Sequence, residues 1–137
     1  MTDSANLDLV RSIYADWERG DYSRTEWADP EIEFVIADGP EPSRWIGVAG
    51  MAEGWRGRLS RWKGHRSVAE EFREIDSARV LVVANISGRG KTSGVETHRH
   101  GATVFTLRSG KVTRLIGYWD REHALADLGL SAGEATF

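Results

Sequence analysis

THRHGATVFTLRSGKVTRLIGYWDREHALADLGL, residues 97–130, is the stretch that decides the fold. Two long segments rich in apolar and β-branched residues flank Arg108-Ser109-Gly110. That tripeptide reads as a three-residue hairpin turn, with glycine where a left-handed residue is needed. Residues 95–107 and 111–119 are therefore expected to pair as antiparallel strands. Asp120 comes after the second segment and precedes a short helical pattern closed by Gly129. An aspartate there can cap the helix by accepting the backbone N–H of Glu122 or His123. A long hairpin that delivers a small helix is a specific shape.

Working outward, 65–75 and 79–87 read as two more strands with short connections, so four consecutive strands form an antiparallel meander. Val10, Ile13, Tyr14 and Trp17 recur at i, i+3, i+4, i+7, one face of a helix. Gly20 suits the residue after its end. Ser23 to Trp27 reads as a short second helix. After Pro30 the stretch 31–37 is extended, and 38–42 is a turn or loop. Met51, Trp55, Leu59 and Trp62 mark a further helix, closed by Gly64, in which Gly54 and Gly57 each cost about 1 kcal/mol relative to alanine. Helices first and a meander afterwards give an α+β class, with helices packed on one face of a curved sheet.

Composition sets bounds. The chain has 137 residues, 40% hydrophobic and 28% charged, which suits one domain spanning 1–137 with a real core. It has no cysteine, which excludes disulfides and thiolate chemistry. Neither a signal peptide nor a membrane-spanning stretch is read in it, and a cytoplasmic location is the default. A net charge of −3 argues against generic nucleic-acid binding.

Several local motifs join this order of elements. Trp45-Ile46-Gly47-Val48-Ala49-Gly50 leads into a helix, Gly88–Gly94 is glycine-rich, Ser109-Gly110-Lys111-Val112 forms the turn, and Trp119-Asp120-Arg121 runs on to Ala124-Leu125 and Gly129-Leu130. In this order they resemble the SnoaL-like (polyketide cyclase-like) branch of the nuclear transport factor 2-like superfamily, over nearly the whole chain. The resemblance implies a cone-shaped, cystatin-like domain with helices on a strongly curved, mixed but mostly antiparallel sheet, a small-molecule pocket inside the cone, and a homodimer. It places Thr113, Leu115, Gly117 and Trp119 on the concave side of the last strand. From the neighbouring strands Arg99, Gly101, Thr103, Phe105 and Leu107 join them, with Val80, Val82, Ala84 and Ile86 beyond. Trp55 reaches in from a helix, and Tyr14 and Trp17 close the top. Val104, Thr106, Val112, Ile116 and Tyr118 fall on the convex side, as an apolar patch fit for a second copy.

The resemblance also exposes departures. Positions where related enzymes carry a catalytic carboxylate hold Gly117, Val35 and Thr103, and Val80–Asn85 holds no Arg-x-Asp pair. Asp38 is near one such position but falls in the turn. The candidates left for acid–base chemistry are Glu33, Arg99 and Tyr14. Glu33 among apolar neighbours would serve as a base if it faced the cone, whereas alternation with Ile32, Phe34 and Ile36 puts it outside. Arg99 on the pocket face would bind a carboxylate or enolate oxygen, or else sit at the rim. The expected ligand-binding set is Tyr14, Trp17, Trp55, Arg99, Thr103, Phe105, Leu115 and Trp119.

Other motifs have plain readings. His98 and His100 share one side of a strand, but two histidines fall short of a metal site and both are expected on the convex face. Gly90-Lys91-Thr92 lacks the upstream glycine and downstream helix of a phosphate loop. Basic and aromatic residues mingle over 55–63, which suits a solvated helix whose two tryptophans share the apolar face. The expected protein binds a small apolar or aromatic ligand and needs no cofactor or metal. Isomerase- or cyclase-type turnover, or a purely non-catalytic binding or assembly role, both remain open.

Overall fold

A computed structural model describes residues 5–39, 42–59, 62–90 and 94–130, with side-chain environments undescribed at 58, 59 and 62–65. The elements in order are α1 (Ala5–Glu18), β1 (Ala28–Ile36), β2 (Ser43–Ile46), α2 (Gly47–Leu59), β3 (Trp62–Glu74), β4 (Arg79–Gly90), β5 (Glu96–Arg108), β6 (Lys111–Tyr118) and α3 (Arg121–Asp127). The class is α+β, as expected.

One six-stranded open sheet runs in the order β2-β1-β6-β5-β4-β3. Every neighbouring pair is antiparallel except β1 and β6, which run parallel. The hairpin that decides the fold is present, with Thr103 opposite Gly117 and Phe105 opposite Leu115. Its turn is tighter than expected. Arg108 pairs with Lys111, and Ser109 (φ 53°) and Gly110 (φ 76°) alone make the reversal. Two positive φ values fit the twist of the strands they join.

α1 lies over β3 and β4, and α2 over β1 and β2. The main core fills this side. Val10, Ile13, Tyr14 and Trp17 meet Val80, Val82, Ala84, Ile86, Phe105, Leu107 and Leu115, in line with the expected concave set. The smaller α3 packs on the opposite face, where Ala124 and Leu125 cover Leu81, Val83, Ala102, Val104 and Tyr118. Asp120 caps it by accepting the Glu122 N–H at 3.0 Å.

Three expectations need correction. Ser23–Trp27 is not a helix. The Asp21 carboxylate accepts both the N–H (3.0 Å) and the hydroxyl (2.6 Å) of Ser23, a local turn that competes with helix nucleation. The second long helix stops at Leu59, so Trp62 and Gly64 belong to β3, where Trp62 pairs with Gly90. Here the strand's ladder overrides a helical spacing that continued by coincidence. The four-residue β2, for which the sequence suggested no element, sets Trp45 opposite Phe34.

The third correction concerns the convex patch. The β5–β6 register shifts between Thr106 and Leu107, and Thr113 is the extra residue. The bulge turns Val112 into the main core, fully buried. Val104 and Tyr118 are already buried beneath α3, which leaves Thr106 and Ile116 half-buried. The patch nominated for a second copy is thus partly closed by the chain itself. Lys91, Thr92, Ser93, Pro40 and Glu41, read as turn residues, lie outside the described residues. No described helix is long and apolar enough to cross a membrane.

Candidate functional site

The mouth of the concave side is built from aromatic rings on separate elements. Tyr14 and Trp17, one turn apart on α1, lie on the helical stripe that faces the sheet. Tyr22 comes from the irregular segment after α1 and stacks on Trp17, with centroids 6.0 Å apart and planes at 21°. Trp55 comes from α2 and meets Trp17 nearly at right angles, 87° at 5.4 Å. Phe34 comes from β1 and stands at 76° to Trp55. These five rings, with Ser67, Ile86, Thr103, Leu115 and Gly117 from the sheet, bound a cleft of about 70 Å³.

Backing residues hold the rings in place. Phe105 is fully buried below the cleft and stacks on Trp17 at 5.9 Å. Trp45 stacks on Phe34 at 5.3 Å and lies against Gly54, where an added Cβ would come within 2.8 Å of its indole. The helix glycine that looked costly is therefore the seat of a tryptophan.

Polar groups in the cleft are few. The Tyr14 hydroxyl and Thr103 Oγ1 lie 3.0 Å apart in a hydrogen bond, on elements 89 residues apart in sequence. Tyr22 and Ser67, which carry hydroxyls, and Trp17 and Trp55, which carry indole N–H donors, are also among the lining residues. Among the described residues lining the cleft there is no carboxylate, imidazole or cationic group.

Of the expected ligand-binding set, Tyr14, Trp17, Trp55, Thr103 and Leu115 line the cleft together. Phe105 supports it from below. Arg99 and Trp119 form a separate unit at the concave rim, with the guanidinium carbon 3.9 Å from the Trp119 ring centroid. Glu33 does not join the site. It lies on the face opposite Ile32 and Phe34, ion-paired to Arg44 and, at 3.1 Å, to Arg114. Strand alternation turns it out, and two guanidiniums occupy its carboxylate. It is thus placed as a surface ion-pair residue and not as a base in the cone.

Three lining residues were not nominated from sequence. Phe34 was readable as inward-facing from alternation. Ser67 lies opposite Ile86 in the β3–β4 register, which needs the bulges of that pair to be known. Tyr22 carries no local signal, because it falls between the Gly20 helix end and the stretch from Ser23 that reads as a second helix.

A polar cluster lies outside the cleft. Asp38 accepts the Trp119 N–H at 2.6 Å and pairs with His123 Nδ1 at 2.9 Å. The Tyr118 hydroxyl donates to Asp127 at 2.9 Å. Burial, reinforced by the Asp127 carboxylate, pushes the Tyr118 hydroxyl pKa up to about 12. The hydrogen bond to Asp38 raises His123 above its ordinary value. His100 pairs with Glu70 at 2.9 Å, and His98 lies 3.6 Å from Glu96, both on the convex side as expected. Among the described residues no group of three or more His, Asp or Glu could hold a metal ion.

No family profile and no curated protein matches the sequence. Solved structures do match. TerC, co-crystallised with polyporic acid, has a TM-score of 0.73 at 24% identity, covering 91% of this chain and 98% of its own. An NTF2-like protein of unknown function from Burkholderia pseudomallei gives 0.76 at 17% identity, covering 90% and 97%. A protein from Jannaschia described as a SnoaL-like polyketide cyclase gives 0.75 at 16% identity, covering 96% and 98%. At these identities the likeness establishes the fold.

Proposed function

We propose, for a chain with the nuclear transport factor 2-like fold in the form shared with SnoaL-like proteins, that it binds a small, largely apolar, ring-bearing molecule in the cleft and performs no acid–base turnover on it. The observation that carries this reading is the lining: five rings from four parts of the chain, a part-buried hydroxyl pair, and no carboxylate or imidazole among the described lining residues. Rings set at steep angles give an incoming ring both faces and edges to contact. A few polar groups on apolar walls are the usual composition of a small-molecule site. A fold alone never fixes a function. The co-crystallisation of TerC with polyporic acid supports the reading only as a precedent for an organic guest in this scaffold.

The test is direct. The purified protein is extracted and searched by mass spectrometry for a co-purified molecule. In parallel, aromatic probes are titrated against tryptophan fluorescence. Saturable quenching that Trp17→Ala weakens at least tenfold is expected. Quenching that is linear in every probe, with nothing co-purified, would refute binding.

Turnover has one observation in its favour. The Tyr14 hydroxyl, held by Thr103 at 3.0 Å in a part-buried setting, can donate to a ligand oxygen. If a substrate is found, Tyr14→Phe should then remove activity while Glu33→Gln leaves it intact. A homodimer through the convex face now rests on Thr106 and Ile116. Sedimentation showing a monomer at tens of micromolar, about the range of a weak interface, would retire it.

A further inference from the structure

We infer that the ligand is an acid: a ring system ending in a carboxylate or an ionised enol or phenol, whose charge is met by Arg99 on its Trp119 shelf. The inference rests on the binding reading above and adds the ligand's chemical class.

Register carries the first step. Ser67 pairs with Ile86, and Ile86 pairs with Arg99, so the three lie in one row across β3, β4 and β5. Ser67 and Ile86 both line the cleft. The Ile86 methyl occupies the space a side chain at Gly101 would need, 2.5 Å from where its Cβ would be. Gly101 separates Arg99 from Thr103 along β5. An apolar floor therefore runs from the Tyr14–Thr103 hydroxyls to the Arg99 stem.

Length carries the second step. Four residues of strand separate Thr103 from Arg99, about 13 Å at 3.2–3.4 Å per residue. A single ring bearing an acid is too short to touch both ends, whereas two linked rings bearing an acid reach.

Preorganisation carries the third. The Arg99 guanidinium carbon lies over the Trp119 ring, 3.9 Å from its centroid. The indole lies against Gly39, which has no side chain to push it away, and the Trp119 N–H is anchored to Asp38. A guanidinium held against an aromatic ring keeps its charge, and its terminal N–H groups are of the kind that recognise a planar carboxylate. No carboxylate is among the described residues lining the cleft, and at the Arg99 end the Asp38 carboxylate is engaged by the Trp119 N–H and by His123.

Three biphenyl probes of matched shape test this: biphenyl-4-carboxylate, biphenyl-4-carboxamide and 4-biphenylmethylammonium. Binding to the full chain is read by tryptophan quenching and calorimetry at low salt. The carboxylate should bind roughly tenfold or more tighter than the carboxamide, the range of a charge-assisted hydrogen bond, and the ammonium weakest. In Arg99→Gln the carboxylate should fall to the carboxamide's level, with the carboxamide changed less than about threefold. Equal affinities in the wild type, an ammonium that binds as well as the acid, or a preference that survives Arg99→Gln would each overturn the proposal while leaving the pocket reading in place. The wild-type comparison needs no variant, so it decides even if Arg99→Gln fails to fold. If none of the three probes binds, the pocket reading itself falls, and this inference with it.

Discussion

Gly54→Ala should destabilise the protein, against the ordinary rule for a helix interior. Replacing a mid-helix glycine by alanine normally gains about 1 kcal/mol through reduced backbone entropy in the unfolded chain. In α2 the new methyl would lie 2.8–2.9 Å from three carbons of the Trp45 indole. Those carbons belong to the fused ring, not to a flexible tip, and the ring is stacked on Phe34. Trp45 cannot retreat without moving Phe34. Overpacking of this kind costs about 1–3 kcal/mol, so the clash outweighs the helical gain and the net loss is about 1 kcal/mol. Gly57 supplies the internal control. It lies in the same helix with nothing within 4 Å of a Cβ, so Gly57→Ala should gain about 1 kcal/mol. Urea denaturation of the two variants beside the wild type measures both signs at once. The midpoints should move in opposite directions with unchanged slopes. A Gly54→Ala protein as stable as Gly57→Ala would refute the seating of Trp45 on α2.

Glu33→Gln should change stability by less than about 1 kcal/mol and leave probe binding intact, because its partners Arg44 and Arg114 are exposed surface groups. A large loss of binding would place Glu33 back in the site. Leu125→Ala should cost about 2–4 kcal/mol, since the side chain is 1% exposed between α3 and the sheet. A cost near zero would mean α3 does not cover that face. His123 is raised above its ordinary value by Asp38, so its contribution is complete below about pH 6.5 and fades as pH climbs through the raised value. The melting-temperature gap between wild type and His123→Asn should therefore be wider near pH 6 than near pH 9, and a gap that grows with pH would contradict the pairing.

Much of the architecture was legible because its signals are local. Strand alternation over 96–108 and 111–118, a glycine at the turn and an aspartate before α3 each act within a few residues. The concave set, placed by the family resemblance and kept consistent by period-2 alternation, holds up to the bulge at Thr113. Beyond it, Val112 faces the wrong way for any strict alternation, because one unpaired residue inverts the facing of its neighbours toward the turn. The site was legible where a residue sits on a regular element, as with Tyr14, Trp17 and Trp55. Tyr22 was not, since its position depends on an aspartate side chain capturing Ser23 and not on any periodicity. The glycines of α2 look alike in sequence. Only the indole of a residue nine positions upstream distinguishes Gly54 from Gly57.

Asp38 holds two things at once: the backbone of Trp119, whose ring lies under Arg99 on one side of the sheet, and the imidazole of His123 on the helix covering the other. The small helix is thus a latch for the far side of the sheet. A chain cut after Trp119 would expose the Val104 face and also leave Asp38 with one tether in place of two. The rim of the cleft would then loosen without any of its own residues being touched. Functional screens would score α3 as part of the binding site although no atom of it lines the cleft.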